Sequence, residues 1–306
     1  MSIKQAEAER TKGYLYLATA MILVGSTVVA SKIIAGGLPP FTATALRFLI
    51  ALPIFVLLMR FRNERWPRPD RHDLILLLLQ AGAGSVGYTV LLILGTSLTS
   101  SGDAGIIAGT LPAVAAATAF VALGERSDLR MLIALALAVA GTLVVAVSSA
   151  NGGMAFAPRA LMGDGLVFAA VVCEAIFILL NKRLHQPIAA LPLSTLMSAI
   201  GFMLSILPAL FEHAWRQAVN WPALSSVVYY ALFPTVCGFL LWYAGTVRAK
   251  GSEAALFTGV VPVAAVVLSA LVLHEPIRIA QIIGITCVLA AIAMMAGRRT
   301  VAAEAP

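Results

Sequence analysis

Glu174 lies in "VVCEAIFILLNKRL" (Val171 to Leu184), a stretch otherwise uncharged and mostly apolar as far as Lys182. If that run crosses a lipid bilayer, a charged side chain near its middle costs at least about 2.5–3.5 kcal/mol. The carboxyl must face a wet cavity, find a partner, or carry a proton. Phe177 and Asn181 follow at i+3 and i+7, on the same helical face. A polar stripe with an aromatic step suits a cavity wall. Glu174 then reads as a contact for a substrate ammonium group or as a proton site; the structural alternative is a protonated carboxyl bonded to a neighbouring backbone or hydroxyl group.

Other residues within apolar runs join it as candidates. Ser26, Thr27 and Ser31 are small and polar, fit either to line a cavity or to let helices approach closely. Ser85, Thr89 and Thr96 keep one face of their run, with Tyr88 between them, and Trp242 lies inside a later run. Tyr88 and Trp242 read as core or as cargo contacts, whereas Trp66, Trp215 and Trp221 sit at loop borders as anchors. Pro112 and Pro262 interrupt two runs and free the carbonyls of Ala108 and Thr258. With Gly109 and Gly259 they mark hinges or simple kinks, and a freed carbonyl at Thr258 suits a polar cargo. "GIIAG" (105–109) and its counterpart Ala255 to Gly259 carry small residues at the spacing of tight helix packing. Asp103 and Glu253 read as helix caps. Glu125 and Glu275 read as pivots or salt-bridge members, and Arg47 reads as a residue that can snorkel outward, with a role in the site as the alternative.

Several chemistries lack their residues. There is no G-x-x-x-x-G-K-[ST] and no HExxH. His72, His185, His213 and His274 fall in separate loops and are read as unclustered; Cys173, Cys237 and Cys287 sit in apolar runs as small hydrophobes. No metal site, cofactor or enzymatic centre is expected.

The elements that must position these residues follow from composition. Of 306 residues, 60% are hydrophobic and 11% charged, against roughly 25% charged in ordinary soluble domains, so the chain reads as an all-α integral membrane protein. Ten apolar segments have the length of a transmembrane helix: roughly 13–34, 40–60, 73–95, 103–122, 129–147, 162–182, 191–211, 223–247, 252–272 and 278–297. The first is too long for a signal peptide. With the N-terminus inside, 16 basic residues fall on the cytoplasmic side and five on the other, which places both termini in the cytoplasm. The net charge of +7 then records topology, and no nucleic-acid partner is expected. The partners are the lipid bilayer and a small-molecule substrate, and a monomer is favoured.

The halves resemble each other at an offset of 150. Residues 95–125 and 245–275 share eight of 31 positions, among them Gly95/Gly245, Gly109/Gly259, Pro112/Pro262 and Glu125/Glu275, and Gly13 meets Gly163 upstream. Five spans per half is odd, so the second half enters the membrane from the opposite side, an inverted-topology repeat. The layout is a tail at 1–12, a first repeat at 13–147, a linker at 148–161 outside the cytoplasm, a second repeat at 162–297 and a tail at 298–306.

"VGSTVVASKI" followed by "LPPFTATALRF", the "LGE" and "LHEP" ends of helices four and nine, and the five-plus-five layout resemble the EamA branch of the drug/metabolite transporter superfamily. Within that branch the chain is most similar to the YddG-type bacterial exporters of aromatic and other neutral amino acids. The resemblance implies a central cavity lined by helices one, three, four, six, eight and nine. Many members carry Trp just before the Gly or Ala of the first-helix motif; here those positions read Val24-Gly25 and Glu174-Ala175. The expectation is a secondary carrier of the bacterial inner membrane, exporting small amphipathic solutes, foremost aromatic and neutral amino acids, by alternating access. The alternatives are the same fold carrying cationic drugs or nucleotide- or lipid-linked sugars, and a membrane-embedded lipid-modifying enzyme.

Overall fold

The computed structural model describes residues 3–123, 129–151, 158–216, 218–249, 254 and 256–302. Glu125, Glu253 and Ala255 lie outside them. No strand occurs among the described residues. The elements are α1 (Ile3–Ala35), α2 (Pro40–Phe61), α3 (Arg71–Gln80), α4 (Tyr88–Leu98), α5 (Ser101–Ala108), α6 (Leu111–Leu123), α7 (Leu129–Asn151), α8 (Pro158–Asn181), α9 (Ala190–Phe211), α10 (Trp221–Tyr230), α11 (Gly238–Thr246), α12 (Val260–Leu273) and α13 (Ile279–Ala302).

Local chemistry sets where many of them start. Pro39 and Pro40 open α2, Pro fitting a first turn whose N–H groups have no helical partner. Asp70, Ser100 and Asn220 cap α3, α5 and α10, each side chain accepting the N–H three residues on. Ser100 therefore holds the capping role assigned above to Asp103, because a cap must precede the first turn and Asp103 lies within it.

Among the described residues, six helical segments are long and apolar enough to cross a membrane: Glu9–Ala35, Pro40–Phe61, Arg71–Leu98, Pro158–Asn181, Ala190–Phe211 and Trp221–Thr246. A seventh is broken, Ser101–Ala108 meeting Leu111–Val121 at 42°. Three shorter apolar helical stretches follow the same composition: Leu132–Val145, Val260–Leu273 and Ile279–Met294. The break at Gly109–Thr110 lies just before Pro112, which has no N–H to offer the carbonyl of Ala108. The turn at Thr258 and Gly259 stands in the same relation to Pro262.

Two helices widen into π-helix midway, at Ala81–Gly87 between α3 and α4 and at Ala231–Cys237 between α10 and α11. The second has a visible cause. Pro234 cannot donate to the carbonyl of Tyr230, and the Thr235 hydroxyl donates to it instead at 2.9 Å.

Lipid offers helices no hydrophobic reason to associate, so contact depends on close packing of small residues. α2 packs along α9, α7 along α13, α4 on α8, and α1 on both α11 and α12. Where α4 crosses α8, a Cβ on Gly163 would stand 2.8 Å from the Thr99 nitrogen and 2.9 Å from the Gly95 oxygen. Gly13 and Gly245 make the corresponding crossing of α1 and α11, Cβ on Gly245 falling 3.1 Å from the Gly13 oxygen. In the "GIIAG" stretch Gly105 abuts Ala265 and Gly109 abuts Pro262.

Polar ties close one end of the bundle. Lys32 Nζ donates to the Thr99 carbonyl at 2.7 Å, and the Thr99 hydroxyl donates to Asp164 Oδ1 at 2.6 Å. Asp103, almost fully buried, is paired with Arg278 and accepts from Gln281 Nε2 at 2.9 Å. Glu275 accepts the N–H groups of Ser101 and Gly102 at 3.1 Å each, so it caps α5 across the bundle. Glu212 does the same for α2, accepting from the Phe41 and Thr42 nitrogens at 3.0 and 2.6 Å.

The glycine crossing yields a paired prediction within α8. Gly163→Ala pushes a methyl into backbone that cannot retreat and should cost about 1–3 kcal/mol. Gly165 meets nothing within 4 Å, so Gly165→Ala should leave stability unchanged or raise it by about 0.5–1 kcal/mol. Thermal unfolding in detergent checks this; equal midpoints for the two variants would contradict the assigned crossing.

Candidate functional site

A cavity of about 600 Å³ lies inside the bundle, within the size range of small-molecule sites. Its walls run from mid-depth, at Thr27, Arg47 and Tyr88, to the end where α8 stops and α9 starts, at Asn181 and Ser194. Asn181 is solvent-exposed. None of the ties at Lys32, Asp103, Glu212 or Glu275 lines the cavity. The chamber therefore reaches one end of the bundle and stops short of the tied end.

Most of the wall is apolar or aromatic, with Met21, Phe48, Phe55, Phe239, Trp242 and Pro112 among its residues. Two side chains carry full charge when ionised. Glu174 lines the wall from α8, with Phe177 and Asn181 along the same face. It makes no hydrogen bond or ion pair with another described residue. Gly84 lets Phe177 in, since a Cβ there would stand 2.4 Å from the ring.

Arg47 lines the same cavity from α2, which corrects the outward reading. It is the eighth residue of α2, about 10 Å from the helix start, too deep for easy escape to the headgroups. It turns inward instead. Nε donates to Thr235 Oγ1 at 2.8 Å and Nη1 to Thr89 Oγ1 at 2.6 Å, while the guanidinium lies 4.3 Å from the Tyr230 ring centre and 4.9 Å from that of Phe48. Thr235 belongs to the second π segment and Thr89 follows the first, so one cation ties the two widened helices together. Arg47 and Glu174 line the same space without pairing with each other.

The structure brings Glu174, Phe177, Asn181, Thr27, Tyr88, Trp242 and Thr258 together around this cavity, with Gly109 and Pro112 in its wall. Ser26 is not among them. Its Oγ accepts from the Tyr229 hydroxyl at 2.8 Å and donates to the Leu23 carbonyl, because Ser26 is turned toward α10. Pro262 and Gly259 also stand behind the wall, packed against Gly109 and Leu289 respectively. Tyr230 and Thr235, which hold Arg47, are functional-site residues that the sequence analysis missed, because their partner lies more than 180 residues away in the chain.

The histidine reading needs correction as well. His72 and His185 stack, ring centres 4.1 Å apart and planes 11° apart, because the first turn of α3 meets the α8–α9 connection at the open end. Asp70 and Asp73 complete that cluster.

Comparison with known proteins agrees with this architecture. The sequence matches the family described as the EamA-like transporter family twice, over residues 11–147 and 161–297. It is 36% identical over 284 residues to the uncharacterized transporter YetK of Bacillus subtilis, covering 91% of this chain and 85% of that one. Protein PagO of Salmonella typhimurium is 23% identical over 245 residues, covering 80% of this chain and 79% of its own. A crystal structure of a protein 20% identical superposes with a TM-score of 0.61 over 96% of this chain and 99% of that one, a likeness of fold. A multi-pass helical membrane protein with an internal polar-and-aromatic chamber and two matches to one transporter family belongs to that family: this chain is a member of the EamA-like transporters.

Proposed function

We propose that the chain exports small amphipathic zwitterions, foremost amino acids with apolar or aromatic side chains, across the bacterial inner membrane by alternating access, as the YddG-type exporters do. The observation that carries this reading is the pairing of opposite charges in one apolar chamber. Arg47 presents a permanent cation and Glu174 a carboxyl to the same chamber, with no ion pair between them. A carboxylate at Arg47 and an ammonium group at Glu174 would satisfy both, leaving an apolar side chain against Trp242, Phe239 and Met21. Phosphorylated cargo asks for several cations, and Arg47 alone among the candidates Lys32, Arg47 and Lys182 lines the cavity.

The reading takes the fold as ten spans in two inverted five-span repeats with both termini cytoplasmic. Support comes from features that recur at the offset of 150: the π segments begin at Ala81 and Ala231, and Gly95/Gly163 and Gly245/Gly13 mark corresponding crossings. The like pairs α2 with α9 and α7 with α13 pack on each other, as mates about a two-fold axis do. Such repeats open alternately to either side. On this orientation the chamber opens to the cytoplasm, and the ties at Lys32, Asp103, Glu212 and Glu275 form the closed outer gate. Pro112, Pro262, Gly109 and Gly259 serve as the hinges of the exchange.

Counterflow of radiolabelled amino acids in proteoliposomes tests the substrate class. Glu174→Gln should lower flux by about 10–100-fold, the loss of one charge-assisted contact, while the protein remains folded; unchanged flux would remove Glu174 from the site. Trp242→Ala should weaken aromatic cargo more than alanine, and an equal loss for both would show that Trp242 packs the wall without touching cargo.

A further inference from the structure

The open end of the chamber carries a cluster that solute binding does not use. "DRHD" (Asp70 to Asp73) caps and opens α3, and His185 lies in the connection from α8 to α9. His72 Nδ1 is 3.1 Å from Asp73 Oδ1. His185 Nδ1 is 3.1 Å from Asp70 Oδ2 and 3.9 Å from Asp73 Oδ1. One donor atom from each of the four residues lies within 4.8 Å of the other three.

We propose that Asp70, His72, Asp73 and His185 form a binding site for a divalent transition-metal ion of the zinc class, joining the start of α3 to the α8–α9 connection.

Geometry is the first argument. A tetrahedral ion with bonds of about 2.0–2.1 Å sets its donor atoms about 3.4 Å apart. Separations of 3.1, 3.1 and 3.9 Å lie about that edge, and all four donor atoms fall within 4.8 Å of one another, so side-chain rotation closes the site. Two imidazoles with two carboxylates suit zinc, cobalt or nickel, whereas calcium and magnesium ask for six or more oxygens.

The electrostatics agree. Stacked at 4.1 Å, the two rings hold their Nδ1 atoms beside the same pair of carboxylates, and imidazole nitrogen with carboxylate oxygen is a donor set that zinc-class ions accept. Two carboxylates cancel the charge of a divalent ion and offset the positive end of α3. Both carboxylates are already oriented by backbone: Asp70 Oδ1 accepts from the Asp73 nitrogen at 2.7 Å, and Asp73 Oδ1 from the His185 nitrogen at 3.0 Å. Asp73 is buried, while Asp70, His72 and His185 are exposed and leave an entry path.

The test uses the full chain in detergent, its affinity tag removed and metal stripped by chelator, titrated with cobalt(II) and zinc(II) by calorimetry and visible absorption. One ion per chain should bind, with the intense visible bands of four-coordinate cobalt and a raised thermal midpoint. His72→Ala and His185→Ala, both at exposed positions, should each weaken affinity on the order of 100-fold while gel filtration shows a folded protein. No saturable binding at about 100 μM metal, or binding equal in wild type and both variants, would overturn the proposal.

Discussion

The fold is organised around the problem of holding Arg47 inside a bilayer. Its guanidinium is always charged, and at about 10 Å into α2 it has no short path to water along its own helix. Three things make the position tolerable. Thr235 and Thr89 accept its N–H groups, Tyr230 and Phe48 present their ring faces, and the chamber supplies solvent. Each depends on the helices around it. Pro234 diverts the carbonyl of Tyr230 to the Thr235 hydroxyl, and that rearrangement sets Thr235 Oγ1 where Arg47 reaches it. A charged residue that cannot leave thus requires a widened helix, and a widened helix opens wall for a cavity.

Glu174 is tolerated differently. It makes no hydrogen bond or ion pair with another described residue, and it lines the chamber wall, where a carboxyl at this depth can meet cargo or carry a proton. The two charges stay apart because they belong to α2 and α8, which are held by separate crossings: α2 along α9, and α8 on α4 through Gly95 and Gly163. The packing of glycines against backbone is therefore part of the chemistry, because it fixes the spacing between a cation and an anion.

Much of this was readable in the residues. Glu174, Phe177 and Asn181 share a face by spacing alone, and all three line the chamber. The paired prolines foretold two helix breaks, and the offset of 150 foretold that Gly13 and Gly163 would occupy like places. What escaped depends on contacts between segments far apart in sequence. Arg47 has an outward and an inward solution, and only Thr235, 188 residues away, decides between them. Asp103 looks like a cap until Arg278 and Gln281 are placed beside it, 175 and 178 residues on. His72 and His185 look scattered until the start of α3 meets the α8–α9 connection. Ser26 shares its polarity with Thr27, but a rotation of one residue along α1 turns it toward Tyr229 and away from the cavity.

The central claim is that Arg47 and Glu174 together read a zwitterion. It is tested most directly by competing phenylalanine counterflow with phenylalanine itself, with its decarboxylated amine and with its deaminated acid. The account predicts that both singly charged analogues compete at least about 10-fold more weakly than the amino acid, each leaving one charge unanswered. An amine or an acid that competes as well as phenylalanine would contradict it.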